Sequence, residues 1–292
     1  MKKIFFSAAL LALTVSCSQP ENDLSVSVLS DSIRYCESVL VDGDRLLVAN
    51  FGTEELNPLN QEGQGYILEV TGDSTRTLIP ADGILSAPKG MRIWDHLLYI
   101  ADVGKLVIYD LNALDSLPRV VSFPEGELFV NDMAFMDSSL YVTVTDAGKL
   151  YRLDINAPTD TLQWVADIPG ANGIVINGRT AYVASYPPDG VTTEANVIYR
   201  IDDLQNPKVD RLTNRQGQYD GLALSADGRK LYFTSWEEGQ IGYCNFDNGE
   251  VQLLDLSEVP AGPARMDIQG NKLYIPDLPN SRVIVVNQKS DF

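Results

Sequence analysis

The chain has 292 residues and a formal net charge of −18, from 22 basic and 40 acidic side chains, with a single histidine. Such a surface repels phosphate backbones and excludes nucleic-acid binding as a working role; it suits cation binding, and equally plain solubility. Hydrophobic residues at 45%, with 22 Gly and 15 Pro scattered along the chain and no long 3.6-residue periodicity, predict one large core built from many short strands and few helices.

The first residues, "MKKIFFSAALLALTVSC", carry Lys2 and Lys3, an apolar stretch and then small residues. Residues 1–17 therefore read as a secretory signal, too short for a membrane span. It ends at Cys17 after Thr14-Val15-Ser16, which resembles a bacterial lipobox, although Thr14 replaces the more usual Leu or Val. The expectation is a lipidated Cys17, a polar tether over residues 18–24, and a lipid-anchored place in the cell envelope. Ser18 gives no Asp-type retention signal, which favours the outer membrane. The two remaining cysteines, Cys36 and Cys244, lack metal-type spacing and read as two separate half-buried thiols.

From residue 24 the segment "LSVSVLS" alternates like a strand. A strand pattern then recurs: "LLVAN" from Leu46, "LYIAD" from Leu98, "LYVTV" from Leu140, "AYVAS" from Ala181, "LYFTS" from Leu231 and "LYIPD" from Leu273. Each copy is preceded by a short strand and tight turn and followed by a further strand, as in 65–70, 105–111, 149–154, 196–202, 240–247 and 282–287. Six copies at intervals of about 40–50 residues predict an all-β, six-bladed propeller over residues 25–292. Almost no chain follows the sixth copy, so the 24–30 segment is expected to close the ring as the outer strand of the last blade, removing an open edge.

Counting back nine residues from each pattern, or eleven in the fifth copy with its longer turn, gives Glu37, Lys89, Asn131, Asn172, Asp220 and Ala264. These are the starts of the innermost strands, and in a propeller they ring one mouth of the central channel. Four of the six offer oxygen donors, and oxygen-only ligation suits Ca²⁺ above all, or Mg²⁺ or Mn²⁺, rather than zinc or copper. The bland alternative is a wet polar channel. Lys89 either adds a useful positive charge or forms a salt bridge with Glu37 or Asp220 in the cation's place.

This constellation resembles the SMP-30/gluconolactonase family of six-bladed propellers, over nearly all of the chain after residue 30. The resemblance implies a divalent-cation site at Glu37 in "CESVLV", Asn172 in "GANGIVIN" and Asp220 in "YDGLALSADG", with Asn131 as a further ring ligand. It implies that Asn131 and Asp132 of "VNDMAF" line a substrate pocket and that Asp220 also serves as general base. Family lactonases often carry an Arg two residues before Asn131; here Phe129 stands there. That favours an apolar acyl or aromatic group over a polyhydroxylated lactone, with Lys89 as a substitute cation.

The expected activity is hydrolysis of a lactone or related ester by a monomer, with Asp220 and Lys89 as catalytic groups and Tyr186 and Trp236 as pocket walls or blade packing. The rival reading is a non-catalytic propeller lipoprotein of the NHL kind that binds a ligand or protein partner. The one histidine, His96, sits in the turn of "WDHLLY", which argues against a Ser-His-Asp triad.

Overall fold

The computed structural model describes residues 24–157, 159–246, 248–289 and 292. The signal segment and the expected lipidation at Cys17 lie outside the described residues. Six four-stranded antiparallel sheets follow one another, each with its strands in chain order except the last. Their inner strands are Cys36–Asp42, Met91–Trp94, Val130–Met136, Ala171–Asn177, Tyr219–Leu224 and Asp267–Gln269. The second strands, Arg45–Asn50, Leu97–Asp102, Ser139–Val144, Thr180–Ser185, Lys230–Ser235 and Lys272–Asp277, coincide with the six recurring patterns. The sixth sheet is completed by Ser25–Leu29, paired antiparallel with Arg282–Asn287 from Ser25 opposite Asn287 to Leu29 opposite Val283. Ser25–Leu29 and Arg282–Asn287 thus share one sheet, and each of the six sheets has four strands.

The second strands read as continuous apolar runs because each is covered on both faces by a neighbouring blade. In blade one, Leu47 and Ala49 pack with Met91, Leu98 and Ile100 of blade two. The alternate residues Leu46 and Val48 face the other way, against Cys36, Val283 and Val285. The core is therefore a circle of layers between blades, each buried aliphatic side chain contributing about 2 kcal/mol of transfer free energy.

Two expectations need correction. The third strand of blade four is only Tyr199–Ile201 rather than 196–202. Asn196 belongs to the preceding loop, where its Oδ1 accepts from the Thr193 amide at 2.8 Å and its Nδ2 donates to Ser185 Oγ at 3.1 Å. Cys36 and Cys244 are both free, as expected, but fully buried rather than half-buried. They lie in different inter-blade cores, and burial pushes both thiols up, that of Cys244 to about 12. His96 occupies the exposed hairpin turn, its Nδ1 2.7 Å from Asp95. No α-helix occurs among the described residues, only a single 3₁₀ turn, Glu237–Gly239.

Candidate functional site

The residues singled out by counting occupy a shared irregularity. In four blades the pairing of inner and second strand skips them. Cys36 faces Asn50 and Ser38 faces Ala49, so Glu37 has no partner. The register likewise jumps from Val130 to Met133 over Asn131 and Asp132, from Ala171 to Ile174 over Asn172, and from Tyr219 to Leu222 over Asp220. Such bulges re-aim side chains, here away from the sheet ladder. In blades two and six the ladder begins only at Met91 and Asp267, after Lys89 and Ala264.

Neighbouring inner strands then meet directly. The Gly90 amide donates to Asn131 O at 2.9 Å and the Arg265 amide to Glu37 O at 3.0 Å. Glycine follows the ring position in three blades because no side chain fits there. A Cβ on Gly173 would lie 2.1 Å from Asp220 O, one on Gly221 2.7 Å from the Met266 amide nitrogen, and one on Gly90 2.4 Å from Asp132 Oδ1. Two second-strand threonines at equivalent positions lock the bulges. Thr143 Oγ1 donates to Asn172 O at 2.5 Å, and Thr234 Oγ1 accepts from the Gly221 amide and donates to Ala264 O.

The result is a sealed cluster. Glu37, Asn131, Asn172 and Asp220 are 4%, 1%, 1% and 7% exposed. Glu37 Oε2, Asn131 Oδ1, Asn172 Oδ1 and Asp220 Oδ1 are all buried without a hydrogen-bond partner. A buried acceptor left unpaired costs on the order of 1–3 kcal/mol, so four together call for a shared positive partner. Burial, and then the charge of Asp220, raises the Glu37 carboxyl well above the carboxylate range. Burial and the charge of Asp132 raise Asp220 to about 8. This all-oxygen set, with four orphaned acceptors on neighbouring inner strands and Glu37 close enough to Asp220 to feel its charge, fits a hard divalent cation. Among the described residues no cluster of three or more His, Cys, Asp or Glu forms a metal-type group, so a cation here would depend on the two carboxamides as much as on the two carboxylates.

Lys89 stays out of the carboxylate pair. Its ammonium donates to Ala87 O at 2.9 Å and lies 5.3 Å and 5.8 Å from the ring centroids of Phe129 and Phe51. Among the described residues no ion pair joins it to Glu37 or Asp220. Burial lowers its pKa against the raising fields of Asp102 and Glu37. Phe129, half-buried, thus supplies a ring face to Lys89, the cation that the sequence reading offered as a substitute for an arginine at position 129. Tyr186 is half-buried; burial and the charge of Asp220 push its phenol to about 12. Trp236 packs with Phe51, Ala87, Val103, Ala264 and Leu278. Asp132 is fully buried: its Oδ2 accepts from the Ile174 amide at 3.1 Å, and its Oδ1 lies 3.3 Å from Arg265 Nε and 3.4 Å from Arg92 Nη1.

Of this second layer, one residue beyond the ring, sequence reasoning singled out Asp132 and passed over Ser38, Gly90, Gly173, Gly221 and Arg265. The signal was present in the three glycines at equivalent positions, since a glycine repeated within a strand marks a close approach.

No family description matches the chain, and no curated protein is similar to it in sequence. Its fold is similar to that of several solved structures. A gluconolactonase from Xanthomonas campestris superposes with a TM-score of 0.66 at 18% identity, over 91% of this chain and 90% of that one. A luciferin-regenerating enzyme gives 0.64 at 14% identity, over 91% and 97%. A virginiamycin B lyase from Staphylococcus aureus, solved with quinupristin, gives 0.62 at 12% identity, over 90% and 99%. Identities this low speak for architecture alone, and the architecture is a six-bladed β-propeller.

Proposed function

We propose that the chain is a divalent-cation-dependent hydrolase that opens a lactone or related ester at one mouth of the propeller channel. The observation that carries this reading is the set of four orphaned oxygens on Glu37, Asn131, Asn172 and Asp220. Those residues would hold Ca²⁺, with Mg²⁺ or Mn²⁺ as alternatives, and the bound ion would polarise the carbonyl and stabilise the oxyanion formed on attack. Asp220 accepts the proton of the attacking water. Burial and Asp132 raise its carboxyl to about 8 in the cation-free protein; a bound divalent cation would lower it again and leave a weak base, so the ion would do most of the work of activating the attack. Lys89 bonds only Ala87 O through its ammonium, and it turns its remaining donors to the developing negative charge. Asn131 and Asp132 fix the substrate side of the ring, and Phe129, Tyr186 and Trp236 supply an apolar wall that favours an acyl or aryl group. Lipidation at Cys17 would tether a monomer to the envelope membrane.

A lactone and ester panel assayed with Ca²⁺, Mg²⁺ and Mn²⁺ and with EDTA tests the reading. Hydrolysis that requires a divalent ion and is lost in Asp220→Asn supports it. Hydrolysis indifferent to EDTA, or none with any ion, overturns it. The depth of the four ligands, none above 7% exposed, gives support to a second reading in which the cation is structural and the propeller only binds. There the ion raises the melting temperature and no ester is turned over.

A further inference from the structure

At the other end of the channel lies a cavity of about 390 Å³ to which all six inner strands contribute. Its lining begins three residues past the ring position in blades one to four, at Leu40, Arg92, Ala134 and Val175, and closer to the ring in blades five and six, at Leu222 and Arg265. Its lining combines apolar side chains, including Leu40, Phe135, Val175 and Leu222, with polar surface that includes two arginines, Arg92 and Arg265. Trp94, partly exposed, stacks on Phe135 with centroids 4.9 Å apart.

The two guanidiniums are incompletely answered. Both approach the same oxygen, Asp132 Oδ1, from blades two and six, while Asp132 Oδ2 is held by the Ile174 amide. Arg265 also donates from Nη1 to Val39 O, but its buried Nε has no hydrogen-bond partner. Arg92 donates only to backbone, to Met91 O at 2.7 Å and Ile174 O at 3.3 Å. Asp267, the acid that lines the cavity, accepts from the amides of Val41 and Ile268 and adds its charge to that of Asp132 at Arg92. Burial and the charge of Arg265 lower Arg92 to about 10, against the raising charges of Asp132 and Asp267. Two cations of like sign thus share one carboxylate oxygen inside a chain of net charge −18, and guanidinium forks bind carboxylates with two parallel bonds where geometry allows.

We propose that this cavity binds a small carboxylate with an apolar tail, its head group between Arg92 and Arg265 and its tail against Phe135, Val175 and Leu222. The volume lies at the small end of ligand sites, so the occupant has the size of a short fatty or aromatic acid. The overall negative charge repels free anions at a distance, and selectivity comes from the buried pair of guanidiniums.

Calorimetric titration of the full chain with hexanoate and benzoate tests this, with hexanamide and benzamide as neutral counterparts. The acids should bind saturably and the amides about tenfold or more weakly, as expected for loss of a charge-assisted pair. In folded Arg92→Gln, with Arg92→Lys as the milder variant, acid binding should fall by a similar factor. Benzoate should also change Trp94 fluorescence, a signal that Trp94→Phe removes while binding persists. EDTA and Asp220→Asn should leave the titration unchanged. Equal binding of acids and amides, or no saturable binding, overturns the proposal, and neither result needs an arginine variant to fold. Binding that survives in folded Arg92→Gln but disappears with EDTA assigns the acid to the ring instead, and also overturns it.

Discussion

The two ends of the same six inner strands carry opposite chemistry. At one end four bulges collect four unpaired oxygen acceptors, on Glu37, Asn131, Asn172 and Asp220, with Asn131 Nδ2 as an unpaired donor beside them. At the far end Arg92, three residues past its ring position, and Arg265, one residue past its own, line a second cavity, where the buried Arg265 Nε has no hydrogen-bond partner. Between them lies Asp132, held by an amide and two guanidiniums, whose charge helps raise Asp220. The difference shows that in a propeller the overall charge says little about the channel. What matters is which residue each inner strand turns toward the axis, and here a one- or two-residue bulge makes that choice.

The largest effect that would break this contrast is loss of the acceptor set. Asp220→Ala should lower divalent-dependent ester hydrolysis on the order of 10²–10⁴-fold and abolish stabilisation by Ca²⁺, both readable by steady-state assay and thermal melts. Next comes the close packing that separates the two ends. Gly173→Ala places a Cβ 2.1 Å from Asp220 O, and overpacking of this kind costs about 1–3 kcal/mol or more. Gly43, with φ +59° but nothing within 4 Å, is the comparison: Gly43→Ala should cost only about 1 kcal/mol of backbone strain. If denaturant titration finds the two equal, close approach of the inner strands is not what demands Gly173.

A third prediction concerns pH. In the folded, cation-free protein Asp220 holds its proton up to about 8, against 3.8 for the free group, and Glu37 is raised as well. The folded state therefore binds more protons than the unfolded chain across this window, and stability falls as pH rises from about 4 through about 8. Melting of the EDTA-treated protein between about pH 5 and about pH 8 should show a decline that is shallower in Asp220→Asn and offset by Ca²⁺. A decline of the same steepness in Asp220→Asn would remove Asp220 as its source. Thr234→Val, which removes the hydroxyl bridging Gly221 and Ala264, should cost about 1–3 kcal/mol. His96→Ala should change stability by less than about 0.5 kcal/mol and leave hydrolysis intact, because the ring sits on the starts of the inner strands while His96 lies in the exposed turn that ends one of them.

Much of the fold was legible because each blade repeats the same problem. The second strand must be apolar on both faces, and the six near-continuous runs from Leu46 to Leu273 announce it. The closing strand was legible from the strand-like alternation of "LSVSVLS" ahead of the first blade. The ring was legible by counting, because hairpin length fixes distance along a strand, even across the longer turn after Asp220. Asn196 was misjudged as strand because its capping bonds to Thr193 and Ser185 look no different in sequence from a strand start. Arg92 and Arg265 were missed because each reads as an isolated charge beside an apolar run.

The sequence by itself determined the number of blades, the register of their hairpins, the strand that closes the ring and the six positions at one mouth, since all of these follow from local periodicity and chain length. Only the tertiary structure decided that Lys89 turns to Ala87 and two aromatic rings, that four acceptors are left unpaired together, and that Arg92 and Arg265 meet over Asp132. Such contacts join blades far apart along the chain, and they exist only once the circle closes and glycines at 90, 173 and 221 let neighbouring inner strands touch.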